Sequence, residues 1–298
     1  VSRTAIWKQI EALRALGVPV EARGAAGYRL PWPIQMLDAD RIRAALRRHA
    51  SPAPGLVEVH WQLDSTSSEL ARRSATLPDL TCVLAESQSA GRGRRGRHWL
   101  SPPGLNLYLS CLKRFETGFA SLAGLSLALG AIVLDVLERH GVHGVGLKWP
   151  NDLLSARGKL GGILVELGGE YQGPCTAIIG IGLNLRLTPA LHAAAGQAAD
   201  DLATLGGGMP PERNQLAVDL IAALGAGLTR FEREGFAAFA AAYARHDLLH
   251  GEALRLSGAQ GAFEGTGEGV DARGALRVRL PDGELRLVDS ADVTVRRT

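Results

Sequence analysis

From Leu56 to about Asp247 the chain alternates short apolar, β-rich runs with longer segments of helical periodicity, and this order restricts the fold more than any other feature. The expected strands are Val57–Leu63, Cys82–Glu86, Leu105–Leu112, Val145–Lys148, Leu160–Leu167 and Thr176–Leu183. The expected helices are Ser68–Ala75, Phe119–Arg139, Glu212–Ala226 and Phe231–Ala244. Strands interleaved with helices make an α/β domain of about 190 residues, a size that can close its own core.

The flanks read differently. In residues 1–50, Ile6, Ile10, Leu13 and Leu16 fall at helical spacing, with Ser2 placed as N-cap and Gly17 as stop. The stretch VPVEARGAAGYRLP then reads as two short strands around a Gly24–Gly27 turn. A helix followed by a hairpin, within a stretch 1–50 that carries nine Lys/Arg against four Asp/Glu, resembles the recognition helix and wing of a winged helix-turn-helix. The sequence opens on this helix, so the resemblance is expected to start within the motif. Linkers are expected at Pro31–Pro33 and Ser51–Pro54. Residues 248–298 alternate apolar and polar between Gly and Asp-Gly turns, as expected of a small antiparallel barrel. The division is therefore 1–50, 55–247 and 248–298.

Apolar residues at 46% and charged residues at 21% exclude bulk disorder, collagen and coiled coil. Cys82, Cys111 and Cys175 are scattered, odd in number and without CxxC spacing, which argues against a disulfide framework or a cysteine zinc site and for a reducing compartment. The N-terminus shows no secretory apolar core. The uncharged stretch Gly118 to Leu134, 17 residues with three glycines and two serines, reads as a buried helix rather than a membrane span.

Four segments carry chemistry. Gly91-Arg92-Gly93-Arg94-Arg95-Gly96-Arg97-His98-Trp99 lies between two expected strands. It opens onto Trp99 and Pro102-Pro103 rather than a helix, and it lacks the GK[ST] ending of a P-loop, so it is neither a dinucleotide fingerprint nor a Walker motif. Its glycines admit close backbone approach and its arginines offer paired donors, which together suit a phosphate or carboxylate. Lys148-Trp149-Pro150-Asn151-Asp152 is followed by Gly158-Lys159-Leu160-Gly161-Gly162. Only four of the 33 basic residues are lysine, and two of those sit here, eleven positions apart, one ending a strand and one beginning the next. Gly180 to Leu185 is an apolar strand containing Asn184. Asp64-Ser65-Thr66-Ser67-Ser68 reads as a helix N-cap, and Gln88 stands just before the arginine loop.

In this order and spacing the segments resemble the biotin protein ligases, in particular the bacterial type that joins a winged-helix repressor to the ligase. The signatures are GRGRRGRHW, KWPND and GKLGGIL, and the resemblance spans essentially the whole chain. It implies a mixed-sheet α/β (α+β) catalytic domain between a partial winged helix and an SH3-like barrel. It also implies activation of biotin by ATP with Mg²⁺, then transfer to a lysine of a biotin carboxyl carrier protein. By the same resemblance Ser65, Thr66, Ser67 and Gln88 take the ureido ring, while Arg92, Gly93, Arg94 and Lys159 take biotin and the reacting phosphate. Gly91, Arg95, Trp99, Lys148, Asn151 and Asn184 take the adenylate. Lys159, Arg94 and Asp152 are the catalytic set, with Asp152 as proton acceptor or metal ligand, and Arg94 is expected to be exposed. The implied protein is cytoplasmic, a homodimer, able to bind DNA and not a membrane protein. Alternatives are a lipoate or octanoate ligase, or a ligand-sensing repressor without ligation. Relatives have asparagine where Ser67 stands and often QPWTDL where this chain reads Gln197-Ala198-Ala199-Asp200-Asp201-Leu202.

Overall fold

The computed structural model describes residues 2–48, 53–169, 171–258, 261–289 and 294–297. Of the expected linker Ser51–Pro54, Ser51 and Pro52 fall outside them. Helix α1 (Arg3–Ala15) begins at Ser2, whose hydroxyl accepts the Ala5 N–H at 3.2 Å. Two-residue strands β1 (Glu21–Ala22) and β2 (Tyr28–Arg29) pair antiparallel beyond it. Helix α2 (Ala39–Leu46) was not anticipated. Asp38 caps it, and Ile42, Ala45 and Leu46 are buried in the main core.

The central domain runs β3 (Val57–Leu63), α3 (Thr66–Arg73), β4 (Cys82–Gln88), β5 (Leu107–Phe115), α4 (Leu125–Arg139), β6 (Gly146–Lys148), β7 (Asp152–Ser155), β8 (Gly158–Gly169) and β9 (Cys175–Leu183). Short helices α5 (Pro189–Ala194) and α6 (Leu202–Leu205) precede the long α7 (Arg213–Glu234) and α8 (Ala237–Ala244). Seven strands form one sheet in the order β3-β4-β5-β9-β8-β7-β6. Only β3 and β4 pair in parallel, so the sheet is mixed.

Sequence explains the middle of this sheet. LYLSCLKRF in β5 is buried at every position but Arg114, as a strand covered on both faces must be. Its buried Lys113 is held by Asp79 at 3.1 Å and Glu232 at 3.0 Å. Eleven residues of α4 are buried, and each fully buried Leu or Val side chain contributes roughly 1.5–3 kcal/mol.

Three expectations need correction. The helix expected from Phe119 is a short 3-10 turn, Phe119–Leu122, and then α4, because Gly124 takes φ +77° between them. The helix expected to end at Ala226 runs on to Glu234 as α7, and the one expected from Phe231 starts only at Ala237 as α8; Gly227 lies inside α7 at its contact with Ile132 of α4, where a Cβ would lie 2.3 Å from Ile132 Cδ1. The helix expected from Ser68 starts at Thr66, with Ser65 as its cap. Strand β7 was also missed.

The C-terminal segment is a five-stranded antiparallel sheet. Its order is β13 (Leu285–Val288), β12 (Leu276–Arg279), β11 (Gly261–Val270), β10 (Ala253–Gly258), β14 (Thr294–Arg297). It meets the central domain where the Trp149 indole N–H donates to the Gly274 carbonyl at 3.0 Å. All three cysteines are buried and unpaired. Cys82 on β4 and Cys111 on β5 are direct cross-strand partners, which pushes the Cys82 thiol pKa up.

Candidate active site

Residues 91–99 close on themselves between β4 and β5. Gly93 N–H donates to the Arg97 carbonyl at 2.7 Å, and Trp99 N–H donates to the Gly91 carbonyl at 2.8 Å. At the tip Arg95 takes φ +57°, a left-handed conformation that costs a non-glycine residue on the order of 1 kcal/mol. The loop points its arginines in different directions. Arg92 makes a two-pronged ion pair with Glu166 of β8 at 2.8 and 2.7 Å. Arg94 turns inward, is half-buried rather than exposed, and reaches Asn151 Oδ1 at 3.4 Å. Burial, then the neighbouring Arg95 charge, pushes the Arg94 pKa down.

Behind the loop lies a cluster of hydroxyls. Gln88 Oε1 accepts the Thr66 N–H at 2.9 Å and the Thr66 hydroxyl at 3.2 Å, while Gln88 Nε2 donates to Ser101 Oγ at 2.9 Å. Ser110 Oγ of β5 stands 2.7 Å from Thr66 Oγ1 and 2.9 Å from Ser67 Oγ. Register places Gly180 opposite Ser110 and Gly182 opposite Tyr108. A Cβ on Gly182 would lie 2.7 Å from Trp99 Cε2, and one on Gly180 would lie 2.7 Å from Ser67 Oγ. The glycines therefore leave the floor of the pocket free for Trp99 and the hydroxyls.

Across the pocket, Lys159 Nζ pairs with Asp152 Oδ1 at 2.7 Å and lies 5.4 Å from the Trp99 ring centroid. This requires β7, which brings Asp152 back beside the start of β8. Asn151 is fixed by donating to the Ile163 carbonyl at 2.9 Å. The main chain of Lys159 is bridged on both sides by the following loop: its N–H donates to the Ala198 carbonyl and its carbonyl accepts from Asp200 N–H, each at 2.9 Å. Asn184 Nδ2 donates to the carbonyls of Lys159 and Asp200, both at 3.2 Å.

These groups enclose one pocket of about 800 Å³, counting its open mouth, within the range of small-molecule sites. Ser65, Thr66, Ser67, Gln88, Arg92, Gly93, Arg94, Trp99, Asn151, Asp152 and Lys159 all line it. A second pocket shares Trp99, Lys159, His98 and Gln197 with it, and adds Asn184, Leu187, Leu191, Ala195 and Ala199. The indole N–H of Trp99, on the shared wall, is buried and without a hydrogen-bond partner among the described residues, so the site presents a donor that a ligand's acceptor can meet.

Three candidates lie elsewhere. Gly91 and Arg95 shape the loop but line neither pocket. Lys148 is the direct cross-strand partner of Asp152 and lines a smaller cavity with Asn151 and Tyr243. Burial pushes its pKa down, against the pull of Asp152. Ser110 and Tyr108 line the site from outside the segments singled out in the sequence, and His98, Gly180, Gly182 and Gln197 join them from inside those segments, where no role is expected of them. A serine in the middle of an apolar strand was the one signal available for Ser110.

A metal does not fit as a resident group. Among the described residues no cluster of three or more His, Cys, Asp or Glu side chains is placed to hold an ion, and the candidate Asp152 is engaged by Lys159.

A mixed seven-stranded sheet bearing this pocket is the architecture of an acyl-activating ligase, and the model of the Biotin/lipoate A/B protein ligase family matches residues 60–184. The Biotin protein ligase C terminal domain matches residues 250–296, and an HTH domain matches residues 1–29. The bifunctional ligase/repressor BirA of Salmonella typhimurium is 38% identical over 296 residues, 99% of this chain and 90% of the relative. The biotin--[acetyl-CoA-carboxylase] ligase of Paracoccus denitrificans is 32% identical over 236 residues, 77% of this chain and 96% of its own length. The biotin protein ligase from Aquifex aeolicus, solved in complex with biotin and ATP, superposes with TM-score 0.69 at 26% identity, over 82% of this chain and 99% of that one. The chain belongs to the biotin protein ligase family.

Proposed function

We propose that the chain activates biotin with ATP and transfers it to a lysine of a biotin carboxyl carrier protein, with units at about 1–50, 55–247 and 248–298. The observation that carries this reading is a single wall running from neutral hydroxyl and amide groups (Thr66, Ser67, Ser110, Gln88) to the cations Arg94 and Lys159. A ureido ring needs the first set and two reacting anions need the second.

In the first step a carboxylate oxygen of biotin attacks the α-phosphorus of ATP, and pyrophosphate leaves with the bonding pair. Lys159 and Arg94 offset the repulsion of the approaching anions. Their charges are already in place, so little reorganisation is needed. Mg²⁺ enters with the nucleotide's phosphates, and no step is assigned to a protein-held ion. In the second step the carrier amine attacks the anhydride carbonyl, AMP leaves, and the amine's proton is lost. A lysine of pKa about 10.4 is rarely neutral at pH 7, so a proton acceptor is needed, and Asp152 is the carboxylate on the pocket wall.

The test is ATP–pyrophosphate exchange with biotin, with lipoate and with neither. Biotin-dependent exchange is expected. Exchange with lipoate alone would move the chain to the sister ligases, and exchange with neither would leave a ligand-binding module. A repressor role in addition is favoured by the capped helix α1 and the β1–β2 wing. It predicts an adenylate-dependent gel shift on the biotin operon control region, and absence of that shift would remove it. Homodimerisation belongs to the same reading, and sedimentation across concentration tests it. A cytoplasmic site is supported by three buried unpaired cysteines, and among the described residues no helix is long and apolar enough to cross a membrane.

A further inference from the structure

The segment 184–201 walls the second pocket through Asn184, Leu187, Leu191, Ala195 and Ala199. Its inner edge is fastened to the main chain of Lys159, as described above. Its outer side is held by the N-terminal unit. The Arg186 guanidinium carbon lies 4.4 Å from the Trp32 ring centroid, and Arg186 Nη2 donates to the Gly208 carbonyl at 2.7 Å. Gly17, just past α1, backs onto the same segment closely enough that a Cβ there would lie 3.3 Å from Leu191 Cδ2.

The stretch that carries Trp32 is not a loose tether. Arg213 Nη1 donates to the Gln35 carbonyl at 2.5 Å and to Glu86 Oε2 at 2.8 Å. Glu86 Oε1 accepts the Leu37 N–H at 2.5 Å, and Asn214 accepts the Asp38 N–H at 2.7 Å. Arg213 Nη2 also donates to the Asn106 carbonyl at 2.8 Å, and Asn106 Oδ1 accepts the Leu185 N–H at 2.9 Å. Linker and pocket wall therefore hang on the same buried side chains.

We propose that Trp32 is a positioning residue for the nucleotide half of the reaction, holding segment 184–201 against the adenylate by stacking on Arg186. The proposal rests on the ligase reading above. The hydroxyl and amide cluster is built from α3, β4 and β5; the Trp32 ring faces Arg186, while the links of its stretch to Glu86 of β4 run through Leu37, and through Gln35 by way of Arg213, and survive loss of the indole. Loss of the stack therefore acts on the nucleotide and spares biotin. Stacking of a guanidinium on an indole is sequence-distant but direct, and the aromatic face is what it needs.

The experiment is pyrophosphate exchange by the full chain as wild type, Trp32→Ala, Trp32→Phe and Arg186→Ala, with the dissociation rate of the adenylate. Trp32→Ala is expected to raise KM for ATP and speed adenylate loss by about fivefold. KM for biotin should stay within twofold. Trp32→Phe should restore most of the difference; Arg186→Ala, which also loses the Gly208 bond, should be at least as severe as Trp32→Ala, and the double variant no worse than Arg186→Ala. A general loosening of the fold would instead lower the thermal midpoint and move both KM values together, and that result overturns the proposal. So does Trp32→Ala with wild-type nucleotide kinetics. A wild type without biotin-dependent exchange would defeat the ligase reading itself, a result the variants cannot mimic.

Discussion

Replacing Lys159 with alanine removes the cation that we propose contacts both substrates. Its ammonium sits 2.7 Å from Asp152 and its side chain is only 16% exposed, so water cannot substitute well for it. A hydrogen bond to a charged partner contributes about 1.5–3 kcal/mol, and the lysine is assigned two, to the biotin carboxylate and to the transferring phosphate. Losing both raises the barrier by about 3–6 kcal/mol, a rate loss of roughly 10²–10⁴. The fold should hardly notice. Asp152 is 25% exposed, so losing its partner costs about 1 kcal/mol or less, and the thermal midpoint should move by about 2–4 °C. Biotin-dependent ATP–pyrophosphate exchange measures the first loss and a circular dichroism melt the second. A folded Lys159→Ala variant keeping more than a tenth of wild-type exchange would refute the assignment.

Arg94→Gly should leave the melt nearly unchanged but loosen the adenylate, and biotinylation of bystander proteins should rise several-fold in a streptavidin blot; an unchanged blot counts against Arg94 as a phosphate contact. Ala199→Trp should fill the second pocket and slow adenylate dissociation, and an unaltered off-rate would mean that the small residue there does not govern retention. Glu58 gives a pH test away from the site. The Arg73 guanidinium, 2.8 Å away, holds its carboxyl down to about 2 from an ordinary value of 4.5. A depressed carboxylate contributes stability that is fully present above its unfolded pKa and is lost as pH falls through the folded one. Glu58→Gln should therefore destabilise the protein at pH 6 and flatten the fall in stability between pH 4.5 and 2, read by urea melts at each pH.

How much of this was legible beforehand follows from the range of each interaction. The arginine loop, KWPND and GKLGG were readable because their residues act within a dozen positions of one another. Ser65 could be read as a cap for the same reason. The pairing of Gly182 with Tyr108 and the stacking of Trp99 over Gly182 depend on register between strands some 70 residues apart, and no local pattern announces register. Strand β7 is four residues and lies between two turns, too short for alternation to show. The run of α7 past its expected end at Ala226 to Glu234 shows the opposite failure. Gly225 and Gly227 look like breakers in the sequence, yet tertiary packing against Ile132 needs a residue without a side chain at Gly227.

The burial of all three cysteines makes this chain a convenient host for optical probes. Cys82, Cys111 and Cys175 are 1%, 0% and 3% exposed, so in the folded state a maleimide dye finds little thiol to attack. A single cysteine introduced on an exposed position of the 184–201 wall, such as Ala193, would take one label without first stripping the native thiols. Whether that wall shifts as nucleotide arrives could then be read in real time on an otherwise unaltered enzyme.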